Sequence, residues 1–260
     1  MQTRPLIAVC EQTDSSFLSP ADLARQVGLP LASAGAAWDF LLFWQQGRLS
    51  LRATRENPAA VVCVDFENEG LRYRQQRQTQ PEALLKAAGL KQGQGLHVID
   101  ATAGLGLDAF LLAAAGCQVE MFERSPILHA LLSDGLRRAA LSEDARIVES
   151  VARMRLHLGN SVSAMHTVQP QADVVYLDPM FPERKKSARV KKNMFLLQQL
   201  LHAEEEPEGL LEAALQCAAK RVVVKRPRLA GFLGAAKPSF QLEGKSSRFD
   251  VYLTPKPAAT

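Results

Sequence analysis

Aromatic residues are scarce, at 6% of the 260 positions, and cysteine is scarcer still. The four cysteines, Cys10, Cys63, Cys117 and Cys217, include no Cys-x-x-Cys pair, which excludes the usual zinc and redox spacings and a disulfide framework. They are expected as reduced side chains, and no metal centre is expected. No uninterrupted apolar run approaches the ~20 residues that span a bilayer, and no charged-then-apolar leader opens the chain, so a soluble, cytoplasmic protein without membrane contact is expected. Neither sign of charge dominates: 31 Lys and Arg against 27 Asp and Glu leave +4. That balance permits a nucleic-acid partner without demanding one. Internal repeats and low-complexity tracts are missing too.

What is present suffices for a large core, since 47% of the residues are hydrophobic. Ile7-Ala8-Val9-Cys10 reads as a short strand, and Ser19-Pro20 places an N-cap before a proline at the first helical position, with Gly28 as the stop. Leu49 to Arg52 and Val61 to Phe66 read as further strands, and Leu71 to Arg77 as a basic extended segment. Residues 1–80 are therefore expected to form a small N-terminal α/β lobe. From Pro81 the pattern changes to alternating helix and strand, which predicts a parallel sheet over residues 81–260. Its strands are expected at His97–Asp100, Val119–Glu123, Asp173–Asp178 and Arg221–Lys225, with a helix starting at Arg146 and carrying Arg153 and Arg155. Phe240–Leu242 and Phe249–Leu253 are close enough to pair as an antiparallel hairpin around Gly244. The expected architecture is a Rossmann-like α/β fold: a seven-stranded, mostly parallel sheet closed by a terminal antiparallel hairpin, the arrangement of class I methyltransferases.

The strand Val98-Ile99-Asp100 runs into Ala101-Thr102-Ala103-Gly104-Leu105-Gly106-Leu107-Asp108, a glycine-bearing turn that opens a helix. Gly104 and Gly106 let the backbone approach a ligand and adopt dihedrals that a Cβ forbids. A dinucleotide site shows three glycines around a pyrophosphate, but here Leu107-Asp108 fills the third slot, and this discounts nicotinamide-dependent oxidation. A carboxylate in that place repels phosphate and suits a cationic sulfonium ligand bearing an ammonium group, as S-adenosylmethionine does. Glu123 ends the second strand, where an acidic side chain accepts hydrogen bonds from both ribose hydroxyls of a nucleoside. Gly159-Asn160-Ser161 is small and polar, in the position where an adenine edge would meet donors and acceptors. Each piece also reads as an ordinary turn, strand end or loop; their order along the chain favours the site.

Leu177-Asp178-Pro179-Met180-Phe181-Pro182 closes a strand at the carboxyl edge of the sheet, where open α/β folds bind ligands. It resembles the [Asp/Asn]-Pro-Pro-[Tyr/Phe] motif of methyltransferases that alkylate amino nitrogens conjugated to a ring or carbonyl, with Met180 replacing the second proline. Such a nitrogen is a poor nucleophile, so acceptors must draw its N–H bonds while the base is held rigidly. Asp178 and the carbonyl of Pro179 supply acceptors, and Phe181 supplies a stacking face worth ~1–3 kcal/mol per base. An ionised carboxylate only accepts, which matches the adjacent N1–H and N2–H₂ donors of guanine. Six positive charges against one negative follow in residues 183–192, where Arg184, Lys185, Lys186, Lys191 and Lys192 are candidate phosphate contacts. Lys225 and Arg226, with Arg72, Arg74 and Arg77, are candidates to extend that surface.

Taken together, Asp100 to Gly106, Leu177 to Pro182, Lys185-Lys186-Ser187-Ala188, Val224-Lys225-Arg226-Pro227 and Arg248-Phe249-Asp250 resemble the bacterial ribosomal RNA small subunit methyltransferase J family. The resemblance covers about Val61 to Leu253, and Met180 belongs to that family's pattern. It implies S-adenosylmethionine as cofactor, with contacts at Leu107, Asp108, Glu123, Arg124, Asn160, Ser161 and Asp178. It also implies methyl transfer to N2 of guanosine 1516 in 16S ribosomal RNA, on naked RNA or the small subunit, by a protein expected to act as a monomer. Methylation of adenine N6 or of a protein glutamine, and a non-catalytic RNA-binding module on the same fold, are the alternatives.

Overall fold

The computed structural model describes residues 5–11, 17–33, 36–54, 61–68, 70–71, 83–91, 94–167, 171–179, 208–234, 236–244 and 247–254. Two compact units divide the chain. The described residues of the first fall within Met1–Asp65 and Pro126–Gly135, and those of the second within Phe66–Ser125, Leu136–Pro179 and Pro207–Thr260. The boundary expected at residue 80 lies outside the described residues.

The first unit holds a four-stranded sheet in the order β1 (Ile7–Val9), β2 (Phe40–Gln45), β3 (Arg48–Ala53) and β4 (Val61–Val62), with β1 and β2 parallel and the other pairs antiparallel. Helix α1 (Pro20–Val27) starts and stops on the expected signals. The Ser19 hydroxyl accepts from the Asp22 N–H, and Gly28 at φ 67° donates its N–H to the Ala24 carbonyl. The strand expected over Val61–Phe66 is shorter, because only Val61 and Val62 pair with β3. The chain then turns Val64 inward against Gly135, so closely that a Cβ at Gly135 would lie 2.4 Å from the valine methyl.

The second unit is a seven-stranded sheet in the order β10-β11-β9-β8-β5-β6-β7. Its strands are β5 (His97–Asp100), β6 (Gln118–Glu123), β7 (Met154–Leu158), β8 (Ala172–Leu177), β9 (Ala218–Pro227), β10 (Phe240–Glu243) and β11 (Ser247–Leu253). Strands β5 to β9 pair in parallel, and β11 runs antiparallel to both β9 and β10. This is the expected seven-stranded sheet with its terminal hairpin. The helices bounded among the described residues after α1 are α2 (Ala83–Ala88), α3 (Leu107–Ala114), α4 (Pro126–Ala139), α5 (Ala145–Val151), α6 (Ser161–Met165) and α7 (Leu210–Cys217). Arg155, expected on a helix, lies instead in β7, because α5 ends at Val151 and Met154 joins the ladder beside Val119. Gly70 and Leu71 are helical, where Leu71 was expected to open an extended segment; Arg72, Arg74 and Arg77 lie outside the described residues.

Val222, Val223 and Val224 of β9 have no exposed surface, as a parallel strand covered on both faces requires. One core layer joins Ile99, Val175, Leu177, Val222 and Val224 of the sheet to Leu210, Leu211 and Ala214 of α7. Connections leave β5 toward β6 on one side, while β8 and β9 lie on the other. The carboxyl ends of β5 and β8 therefore flank the point where the strand order reverses, the crevice in which open α/β sheets bind ligands.

Candidate active site

The glycine turn is suspended between neighbouring strands. Ala101 donates its N–H to the Tyr176 carbonyl of β8 at 3.0 Å, and Ala103 donates to the Phe122 carbonyl of β6 at 3.1 Å. Gly104 at φ 54° and Gly106 at φ 72° adopt left-handed backbone that disfavours any side chain, and Gly106 starts α3. Among the described residues, a Cβ built at Gly104 would meet nothing closer than the Thr102 carbonyl at 3.9 Å, so none of them crowds the turn there.

Glu123, 7% exposed, holds this turn: one carboxylate oxygen accepts the Gly104 N–H and the other the Ser125 N–H, both at 2.8 Å. A carboxylate oxygen can accept more than one hydrogen bond, so the expected ribose contact and this bracing role are compatible. Asn160 uses its side-chain oxygen to cap α6 through the Val162 N–H at 2.9 Å, while its amide nitrogen is a donor on an exposed residue; Ser161 beside it is buried. Leu107 is 39% exposed at the first position of α3, and Arg124 is exposed after β6.

Asp178 follows β8 directly. Its backbone N–H donates to the Thr102 hydroxyl at 2.6 Å, which ties the motif after β8 to the turn after β5. One carboxylate oxygen accepts from the Lys225 ammonium at 2.8 Å, and the other has no hydrogen-bond partner among the described residues. The side chain is 38% exposed, enough for a substrate to reach it. Lys225 also donates to Asp108 at 2.6 Å, and the same Asp108 oxygen accepts from the Tyr176 hydroxyl at 2.7 Å. Desolvation raises the Asp178 carboxyl above the usual range, opposed by the Lys225 ammonium and reinforced by Asp108. Burial works against a charged Lys225, yet Asp178 and Asp108 more than offset it and hold the ammonium well above its ordinary value. Burial also pushes the Tyr176 phenol up, with Asp108 and Asp178 adding to it, so the hydroxyl stays a donor. Asp100, 2% exposed, is pushed up to about 8, mainly by burial; the Thr102 N–H on its carboxylate lowers it, and Asp108, Asp178 and Glu123 raise it.

Asp108, Glu123 and Asp178 thus lie close enough to Asp100 to raise its carboxyl, and the Lys225 ammonium bonds to two of them, Asp108 and Asp178. This concentration of acidic side chains fits a ligand bearing a sulfonium and an ammonium and is unsuited to a pyrophosphate. Among the described residues no group of three or more His, Cys, Asp or Glu is arranged to hold a metal ion, and no helix is long and apolar enough to cross a membrane.

The structure separates the two strand-end cations from the basic surface expected of them. Lys225 spends its ammonium on Asp108 and Asp178. Arg226, on the opposite face of β9, is 3% exposed and donates through Nε to the Gly231 carbonyl at 3.1 Å, so it braces a loop and presents no face to a phosphate. Pro179 is buried directly after Asp178. Phe181, Arg184, Lys185, Lys186, Lys191 and Lys192 lie outside the described residues. Thr102 and Tyr176 are site residues that the sequence reading passed over. Period-two alternation, placing residues 176 and 178 on one face, was the available signal for the tyrosine.

A SAM-dependent methyltransferase family model matches residues 22–254. Proteins named ribosomal RNA small subunit methyltransferase J are similar to this chain: one from Alteromonas mediterranea is 46% identical over 95% of both chains. Another, from Thioalkalivibrio sulfidiphilus, is 45% identical over 89% of this chain and 91% of its own. The crystal structure of a SAM-dependent methyltransferase from Neisseria gonorrhoeae matches with a TM-score of 0.72 at 34% identity, covering 95% of each chain. The similarity therefore extends well into the N-terminal region, beyond the Val61 start marked by the motifs.

Proposed function

The chain belongs to the ribosomal RNA small subunit methyltransferase J family of SAM-dependent methyltransferases, and from that membership we propose that it methylates 16S ribosomal RNA at the exocyclic N2 of a guanosine, guanosine 1516. The observation that carries this reading is the divided Asp178 carboxylate, with one oxygen anchored by Lys225 and the other open beside the glycine turn. S-adenosylmethionine would supply an electrophilic methyl group on a positively charged sulfonium, with the neutral thioether S-adenosylhomocysteine as the leaving group once the methyl–sulfur bond breaks. Glu123, Asn160 and Leu107 would hold its nucleoside, and the acidic side chains around Asp108 would favour its cationic end. The open Asp178 oxygen accepts an N–H of the amine and draws density toward the nitrogen, while Thr102 fixes the backbone that carries it. For each methyl gained, N2 gives up one proton, and Asp178 receives it and passes it to water along its exposed edge. The Pro179 carbonyl is a second acceptor and Phe181 the stacking face. Arg184, Lys185, Lys186, Lys191 and Lys192 hold the phosphate backbone without reading sequence.

A stacked guanine cannot reach such a site, so the substrate is an exposed nucleotide in partly assembled RNA, or one flipped out of its stack. Mapping modified nucleosides in 16S ribosomal RNA from cells lacking the protein, followed by restoration with purified protein and labelled donor, tests this. Loss and return of N2-methylguanosine at position 1516 is the expected result. Label appearing in N6-methyladenosine or in protein would refute it.

A further inference from the structure

The sequence places Lys225 among the residues that touch RNA, and the structure gives its ammonium two other partners. It donates at 2.6 Å to Asp108, in the first turn of α3, and at 2.8 Å to Asp178, at the end of β8. These residues are 117 and 47 positions away in the chain, and the parallel register Leu177↔Val224 brings β8 and β9 to this meeting point. Tyr176 extends the chain of contacts through its bond to Asp108. We propose that Lys225 is a positioning residue for methyl transfer: by bonding to both carboxylates, it ties the amine-accepting Asp178 to the donor-binding turn and turns the open Asp178 oxygen toward the substrate. This rests on the reading of Asp178 given above.

Two physical points support it. An ammonium has three donors, and here two of them go to fixed acceptors in different parts of the chain, which sets the Asp178 rotamer from one side while Thr102 sets its backbone from the other. The ammonium also keeps Asp178 an acceptor, because it is the largest influence opposing protonation of that carboxyl. The other charged groups acting on Asp178 are Asp108 from α3, which raises it, Arg226 from β9, which lowers it, and Asp100 from β5, whose own carboxyl is coupled to it.

The test is steady-state methylation of 16S RNA across a pH series by wild type, Lys225→Met and Lys225→Arg, with calorimetric binding of S-adenosylhomocysteine as a check that each variant is folded and competent. Lys225→Met should lower kcat by ~100-fold, as a mispositioned reacting pair does. It should also move the acidic limb of the kcat profile to higher pH, because Asp178 loses the cation that opposes its protonation. Lys225→Arg keeps the charge, so its acidic limb should stay near that of wild type while kcat falls only part of the way. A residue that merely packed β9 would leave the acidic limb in place in both variants. An unshifted limb in a folded Lys225→Met protein, or a loss seen only in RNA KM, overturns the inference. Asp178→Ala in the same series separates the two readings: if it turns over at wild-type rates, the Asp178 assignment itself fails, whereas a dead Asp178→Ala beside a normal Lys225→Met removes Lys225 alone.

Discussion

Replacing Glu123 by Gln changes one atom and tests whether the glycine turn is braced as the geometry implies. In the wild type, each oxygen of a carboxylate that is 7% exposed accepts one backbone N–H, from Gly104 and from Ser125, both at 2.8 Å. Glutamine keeps one acceptor and turns an NH₂ group toward the other N–H, so one charge-assisted bond is lost and its donor is left facing another donor. A hydrogen bond to a charged group contributes about 1.5–3 kcal/mol, and the substitution should cost about that much. Glu123→Ala removes both acceptors and should cost roughly twice as much. Urea denaturation followed by far-ultraviolet circular dichroism reads this as a lower midpoint with an unchanged slope. Donor affinity should fall in parallel, since the same carboxylate is proposed to meet the ribose diol and the turn loses its fixed shape. A Glu123→Gln protein within about 0.5 kcal/mol of wild type would refute the bracing, because surface substitutions without a structural role fall within that margin.

Three other perturbations probe separate parts of the structure. Asp178→Ala should lower kcat by at least ~10²–10³-fold while binding of S-adenosylhomocysteine, measured by calorimetry, stays within a few-fold of wild type. Asp100 has a folded-state value pushed up from 3.8 to about 8. It holds its proton in the folded chain across that window and loses it in the unfolded one, so its contribution to stability is full below about 3.8 and is lost as the pH rises toward about 8. Asp100→Asn should remove this slope, and urea midpoints for the two proteins that run parallel from pH 4 to 8 would contradict the assignment. Arg248→Ala removes the cation from Asp250, whose side chain has no exposed surface and which accepts from Arg248 Nε at 2.9 Å and Nη2 at 3.1 Å, and leaves the neutral Gln241 amide as its side-chain donor. A buried carboxylate without its cation should cost about 3–5 kcal/mol, seen as a drop in Tm by calorimetry.

Much of the fold and of the cofactor turn could be read from local pattern. Val98-Ile99-Asp100 and Val222-Val223-Val224 are β-branched or apolar runs of strand length, and helical segments lie between such runs, which is enough to imply parallel crossovers. Gly104 and Gly106 mark a turn through their own dihedrals, and Ser19, Pro20 and Gly28 mark the ends of α1, because each acts on backbone within four residues of itself. Asp178 was legible as a site residue because residues at the carboxyl ends of strands in such a sheet face the ligand crevice. Where local pattern competed with tertiary pairing, it failed. Arg155 was drawn into β7 by the ladder to β6, and Val61–Phe66 stopped pairing after two residues so that Val64 could reach Gly135.

The residue order by itself determined the strand and helix alternation, the glycine turn after β5 and the aspartate after β8, since periodicity and backbone preference are properties of a short stretch of chain. Only the tertiary structure decided which side chains meet at those strand ends. Period-two alternation puts Lys225 and Arg226 on opposite faces, but it does not say that β9 lies beside β8 in the register that sets Val224 against Leu177. That register places one cation between Asp108 and Asp178 and buries the other against the Gly231 carbonyl. Two adjacent basic residues that look alike in the sequence therefore have different roles, because charge is carried by the residue while its partner is supplied by chain folded in from far away.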